Sequence, residues 1–281
     1  MSAFPIGVIL ESFQKDENES MRLAQQLGVQ GVQIYAAPGK LFGRQMDVKA
    51  RREFLQKLRD HGLTISALCG DLGYGFGDEQ ANPRLVEASK QILDMALELD
   101  CNVVTTHIGV VPSDMHHPRY AIMQQACGEL ARYADRMKAH FAVETGPEPA
   151  AVLKQFLDSL GSRGVAVNLD PANLVMVAGD DPVQAVHTLK DYIVHTHAKD
   201  GRQLQARDPE QIYGLTPGDS LVTGPSFIEL PLGQGDVPFA AYMEALEQIG
   251  YQGYLTIERE VGDDPVGDIQ KAVEFLRSHM S

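Results

Sequence analysis

The chain contains no tryptophan and only three cysteines, Cys69, Cys101 and Cys127. Without an indole, any aromatic platform the protein builds must come from tyrosine or phenylalanine. Three cysteines with no C-x-x-C spacing do not make a disulfide framework, and they suit a reducing compartment. Basic residues are also scarce: 24 Lys and Arg stand against 38 Asp and Glu, a formal net charge of −14. Such a chain lacks the basic face that phosphate-backbone binding requires, so no nucleic-acid partner is expected. The acidic total reads first as solubility charge and suits divalent cations only weakly. No apolar run is long enough to span a bilayer, and the opening MSAFPIGVILESF has no basic n-region. A protein with no membrane association and a cytoplasmic location is therefore expected. A glycine-rich phosphate loop is missing too. The first turn after a strand-like run reads LESFQKD, which counts against a doubly wound nucleotide-binding sheet.

What is present is alternation. The 281 residues are 44% hydrophobic, enough for one large core or two modest ones. Short β-rich runs recur at 4–10, 31–36, 64–71, 102–109, 140–146, 165–170, 192–200 and 253–260, eight in all. Helical spacing fills the intervals. ENESMRLAQQLG sets Met21, Leu23, Ala24 and Leu27 on one face, and VKARREFLQKLRDHG repeats Phe54, Leu55 and Leu58. Met21, Met95, Met137 and Met243 read as helix-face core. Gly28, Gly62, Gly161 and Gly250 follow helical stretches as left-handed stops, and Asn82-Pro83 and Asp181-Pro182 place proline in a first helical turn. Eight strand–helix units in about 250 residues predict a parallel (β/α)8 TIM barrel, a single domain over residues 1–281. One connection is long: Gly201 to Asp236, rich in Gly, Pro and Asp. It predicts a functional loop or an oligomer contact, the latter making a homo-oligomer plausible.

Side chains alternate along strands, and the inward set of a barrel strand ends at the C-terminal mouth. Ala142, Glu144 and Gly146 oppose Phe141, Val143 and Thr145. Ala166, Asn168 and Asp170 oppose Val165, Val167 and Leu169. His195, His197 and Lys199 oppose Val194, Thr196 and Ala198, and Thr256, Glu258 and Glu260 oppose Leu255, Ile257 and Arg259. Glu144, Asp170, His197 and Glu258 thus come from four strands to one mouth. Alone, each is equally well a satisfied structural polar group; four at matching strand ends point to a site. Clustered carboxylates repel unless a cation relieves them. Three carboxylates and an imidazole suit one divalent ion per chain, with Mn²⁺ or Mg²⁺ favoured by the oxygen-rich set and Co²⁺ or Zn²⁺ also compatible.

At VET (143–145), NLDPANL (168–174), VHTHAKD (194–200) and LGQGDVPFAAYMEALEQIGYQGYLTIERE (232–260), the chain resembles the xylose-isomerase-like barrel superfamily. The superfamily includes sugar isomerases, ketose 3-epimerases, inosose dehydratases and endonuclease IV. The resemblance covers essentially the full length. It implies a metal held by Glu144, Asp170, His197 and Glu258, and a sugar or keto-sugar substrate flanked by the acid/base pair Glu144 and Glu258. One carboxylate removes a proton beside the carbonyl, an enediolate forms, and return of the proton isomerises or epimerises. A lyase or dehydratase expelling a β-hydroxyl from a keto-sugar or cyclitol would share the first step. Ketose epimerases and endonuclease IV carry a histidine where this chain has Asn173. A trinuclear zinc cluster, and with it endonuclease-IV-like hydrolysis, therefore fits poorly. His107 is a further candidate, for substrate, for a second metal, or as a hydrogen-bonded interior histidine. Lys199 either holds a substrate oxygen or pairs with Glu260 or Glu229. Asn173 and Tyr74 complete the expected substrate contacts, with Glu11 a further one. With no tryptophan, stacking on a sugar falls to Tyr35, Phe42, Tyr74 or Phe76. The last two lie in DLGYGFGD, which reads either as a lid or as a plain connection. Arg259 is expected to face away from the mouth in a salt bridge.

Overall fold

A computed structural model describes residues 4–37, 47–216 and 224–280; Phe42 lies outside these. Its strands in chain order are β1 (Ile6–Ile9), β2 (Gly31–Tyr35), β3 (Thr64–Cys69), β4 (Val103–Thr106), β5 (His140–Glu144), β6 (Val165–Leu169), β7 (Ile193–Ala198), β8 (Asp200–Gln203), β9 (Phe227–Leu230) and β10 (Leu255–Ile257). All but β8 and β9 close into a barrel in the order β1-β10-β7-β6-β5-β4-β3-β2, with every neighbouring pair parallel. The predicted runs supply the barrel strands, trimmed at their ends. The run at 253–260, for example, contributes only three residues of ladder.

The surrounding helices are α1 (Glu17–Gln26), α2 (Val48–Asp60), α3 (Asn82–Glu98), α4 (Pro118–Met137), α5 (Ala150–Leu160), the single turn α6 (Pro171–Asn173), α7 (Pro182–Leu189), the short α8 (Pro209–Ile212), α9 (Phe239–Gln248) and α10 (Pro265–Met280). Local chemistry sets their ends. The Asp16, Asp47 and Asp181 carboxylates accept backbone N–H groups of the first turns of α1, α2 and α7. Residues 28, 62, 161 and 250 adopt the left-handed conformation that their glycines allow. Phe13, Met21, Phe141, Phe156 and Tyr242 are fully buried, and Met243 is buried with them. Met95 and Met137 pack against the core from its edge. The three cysteines are free and buried. No helix among the described residues is long and apolar enough to cross a membrane.

Strand register builds the site in layers. Glu144 pairs with Asn168, Asn168 with His195, and His197 with Thr256. With a side-chain period of two, the next inward residues are Asp170, His197 and Glu258, one layer nearer the C-terminal mouth.

The segment after β7 departs from the expectation of a long loop. β8 and β9 form an antiparallel hairpin, with α8 inside the excursion. Asp200 anchors its base. Its two carboxylate oxygens accept N–H groups from Gly201 at 2.8 Å, Gly233 at 2.9 Å, Gly235 at 2.9 Å and Val237 at 3.2 Å. The aspartate of the K-D-G sequence therefore ties down a flap.

Candidate active site

Glu144 ends β5, and Asp170 and Glu258 immediately follow β6 and β10. All three point into the mouth with His197 of β7. One ligand atom from each of the four lies within 4.8 Å of the other three, and all four residues are buried. His197 Nδ1 sits 2.9 Å from Glu258 Oε2, 3.2 Å from Asp170 Oδ2 and 3.7 Å from Glu144 Oε1. On the other side of the ring, Nε2 lies 3.1 Å from Gln33 Oε1 and 3.2 Å from Asn168 Nδ2. Those contacts orient the ring and turn Nδ1 toward the carboxylates.

The D-P-A-N sequence has a physical role here. Asp170 Oδ1 accepts the Asn173 backbone N–H at 2.9 Å, capping α6, which leaves Oδ2 for the cluster. The Asn173 side chain donates to Glu144 Oε1 at 3.0 Å and Asn168 donates to Glu144 Oε2 at 3.1 Å. Asn173 comes this close because residue 146 is glycine, at φ +143°. A Cβ there would lie 2.4 Å from the Asn173 Cβ. Beneath this layer, His195 Nδ1 meets Asn168 Oδ1 at 2.9 Å and Nε2 meets Thr256 Oγ1 at 2.9 Å. Burial and the neighbouring His197 keep His195 neutral, with its pKa far below the ordinary value. His195 therefore belongs to the packed interior.

The charges are strongly interdependent. Burial pushes the Glu258 carboxyl up, but the Lys199 ammonium and His197 outweigh it and hold its pKa well below the usual range. Glu144 is likewise lowered, with His107 and His197 overcoming burial. Asp170, the deepest, is pushed up to about 6 by burial. Burial disfavours charge on His197, yet Glu258 and Glu144 raise its pKa well above normal. Glu258 Oε2 is buried and accepts no hydrogen bond from a described residue, although two cationic groups stand close to it. An orphaned carboxylate oxygen, two further buried carboxylates and an imidazole nitrogen oriented toward them form a donor set that fits a divalent cation.

A cavity of about 360 Å³ opens above the cluster. His107 lines it, with Nδ1 3.1 Å from Asp71 Oδ2 and Nε2 3.4 Å from Glu144 Oε1. Lys199 lines it too, paired with Glu260 at 2.9 Å, Glu258 at 3.2 Å and Glu229 at 3.8 Å. Asn173 is in the wall, whereas Tyr74 is not. Phe76 is no platform: it is buried, edge-on to Phe141. Glu11 is not among the residues lining this cavity; its Oε1 accepts the Tyr35 backbone N–H at 3.1 Å. Arg259 pairs with Asp268 and Glu229, as expected. Sequence reasoning missed Gln33 and the flap residues Ile212, Tyr213 and Phe227, which line the cavity beside Glu229, the expected partner of Lys199. Gln33 had a signal, a polar residue inside the apolar run GVQIYA. The flap residues had none, because nothing in their sequence fixes how the hairpin folds back.

The fold and mouth together define a (β/α)8 barrel with a buried carboxylate–imidazole cluster at its C-terminal face. The chain belongs to the family described as xylose isomerase-like TIM barrel, which it matches over residues 21–279. Among solved structures it is similar to a xylose isomerase domain protein from Planctomyces limnophilus, at 27% identity and a TM-score of 0.80, covering 99% of this chain and 96% of that one. It shares its fold with the 3-keto-D-glucoside 4-epimerase of E. coli, at 18% identity and a TM-score of 0.73 over 98% and 99% of the two chains. It is also similar to inosose dehydratase of Lacticaseibacillus casei, 27% identical over 173 residues, which are 60% of this chain and 56% of that protein.

Proposed function

We propose that the protein is a divalent-metal-dependent isomerase or epimerase of a neutral keto-sugar. The observation that carries this reading is the pair of buried carboxylates, Glu144 and Glu258, which both approach His197 Nδ1 and line one cavity. Glu144, Asp170, His197 and Glu258 would hold the ion, with Mn²⁺ or Mg²⁺ preferred and Co²⁺ or Zn²⁺ accommodated. When bound, the cation supplies the positive charge that acidifies a C–H beside a carbonyl. Glu144 and Glu258 are kept ionised by their cationic neighbours, so either is ready to take that proton. A carboxyl held low is a strong acid once protonated, which favours prompt return of the proton to carbon. His107, oriented by Asp71, and Lys199, braced by Glu260, are placed to hold substrate oxygens and the charge of the enediolate. Asp71, Glu144, Glu229, Glu258 and Glu260 line the cavity against one lysine and one histidine. That balance disfavours phosphorylated sugars and abasic DNA alike. Exposed Leu204, Leu215 and Ile228 on the flap are compatible with a homo-oligomer.

A dehydratase acting on a keto-sugar or cyclitol is the second reading, supported by the likeness to inosose dehydratase. It uses the same first proton transfer and then expels a β-hydroxyl. The test is exchange of substrate hydrogen with deuterated solvent by the Mn²⁺-loaded protein, followed by NMR and mass spectrometry across a ketose panel. Exchange that falls about 10²–10⁴-fold in Glu144→Gln and Glu258→Gln is expected. Loss of water from the product assigns the dehydratase. No exchange with any ketose by the loaded wild type overturns both.

A further inference from the structure

The cavity lined by Glu144 and Glu258 adjoins a second one. Tyr35 and Asp71 line it and also line a second cavity of about 510 Å³, which Tyr74 and Arg84 line as well. Each cavity is within the roughly 300–1,000 Å³ range of small-molecule sites. Tyr74 is 72% exposed, the most exposed large hydrophobic side chain among the described residues. The Arg84 guanidinium lies 5.6 Å from the ring centroid and covers one face. The other face is open. The loop that carries Tyr74 is tied down on both sides. Asp71 Oδ1 accepts the Gly73 N–H at 2.8 Å, and the Phe76 N–H donates to the Ile108 carbonyl at 2.9 Å. The Phe76 carbonyl in turn accepts from the Asn82 side chain at 3.1 Å. These anchors tie the backbone on both sides of Tyr74 to its surroundings.

We infer that the second cavity is a subsite for a further pyranose ring, so that the substrate class is a glycosylated ketose and not a free one. The inference rests on the keto-sugar reading above. A pyranose presents an apolar C–H face ringed by hydroxyls. Tyr74 matches the face, and the Asp71 carboxylate and Arg84 guanidinium match the hydroxyls as acceptor and donors. The 360 Å³ cavity takes the reacting ketose, and the junction at Tyr35 and Asp71 passes the glycosidic link.

The probes are D-fructose and its glucosylated forms maltulose, turanose and isomaltulose. Two readouts are taken on the Mn²⁺-loaded protein: solvent-deuterium exchange, and saturation-transfer NMR, which reports ring contact without turnover. The expected result is a kcat/KM for at least one keto-disaccharide about tenfold above that for D-fructose, with saturation on its glucosyl protons. In Tyr74→Ala, the ratio of disaccharide to fructose kcat/KM falls about tenfold and the glucosyl saturation disappears, while Tyr74→Phe keeps both; this is the scale of one aromatic contact. An unchanged ratio in Tyr74→Ala, or equal saturation of the glucosyl ring with and without Tyr74, overturns the subsite. Absence of exchange with every sugar, with glucosyl saturation still dependent on Tyr74, overturns the reaction and leaves the subsite standing.

Discussion

Glu148 gives a sharp test of the electrostatics around the mouth. Its side chain is 4% exposed, and Oε2 accepts the Val111 N–H at 3.1 Å. Burial pushes its carboxyl up from the ordinary 4.5 to about 8, against smaller opposing effects from Val111 and His107. The folded-state pKa is thus raised, so the folded protein binds a proton that the unfolded chain releases. The associated stability is fully present below about pH 4.5 and is lost as pH rises through about 8. At about 1.4 kcal/mol per pKa unit, the full loss is about 4–5 kcal/mol, an upper value because a buried site relaxes when it ionises. Glu148→Gln keeps an acceptor for Val111 and cannot ionise. Urea unfolding of wild type and variant, compared at each pH, cancels every other titrating group. The variant should match wild type near pH 4.5 and be more stable by several kcal/mol at pH 8.5, the gap opening steadily between. A difference that does not change with pH would refute the assignment of a neutral buried glutamic acid.

Purified wild type should carry about one divalent ion per chain by elemental analysis, and Glu144→Gln and His197→Ala should lose it; Mn²⁺ at a hundred times its Kd should stabilise the wild type by about 2.7 kcal/mol. A wild type that neither holds nor takes up Mn²⁺ would sink the metal centre. Gln33→Leu removes a polar partner that orients His197 and should weaken metal binding about 10–100-fold in a chelator competition, with the fold intact; unchanged affinity would show that the ring needs no such partner. Gly164→Ala places a Cβ 2.0 Å from the Ala131 carbonyl oxygen where α4 meets the start of β6. It should cost about 2–3 kcal/mol in a denaturant titration, and a neutral result would mean the backbone yields there.

The barrel is legible in the sequence because its rules are local and repeated. Period-two patterning in HFAVETG and VAVNLD, helical spacing between them and glycine at the stops all restate one parallel architecture. The same period picked out Glu144, Asp170, His197 and Glu258, since inward-facing residues at strand ends have only one mouth to share. The stretch YIVHTHAKDG resolves in that way: apolar strand, then cluster, then Lys199 on the cavity wall and Asp200 at the base of the flap. Where the alternation stopped, so did its power. Tyr74 and Phe76 lie two residues apart in one glycine-rich loop and looked equivalent. One is exposed and the other core, because only the fold decides which ring meets Phe141.

The sequence by itself determined the barrel, the order of its strands and the identity of the four clustered ligand-type residues. All follow from short-range periodicity and backbone chemistry that each segment carries with it. Tertiary structure alone decided the orientation of His197 against Gln33, 164 residues away. It alone also decided the pairing of His107 with Asp71, the fold-back of the flap that sets Tyr213 and Phe227 in the wall, and the adjacency of two cavities that share Tyr35 and Asp71. Those depend on distances between segments remote in the chain, and no local pattern encodes them.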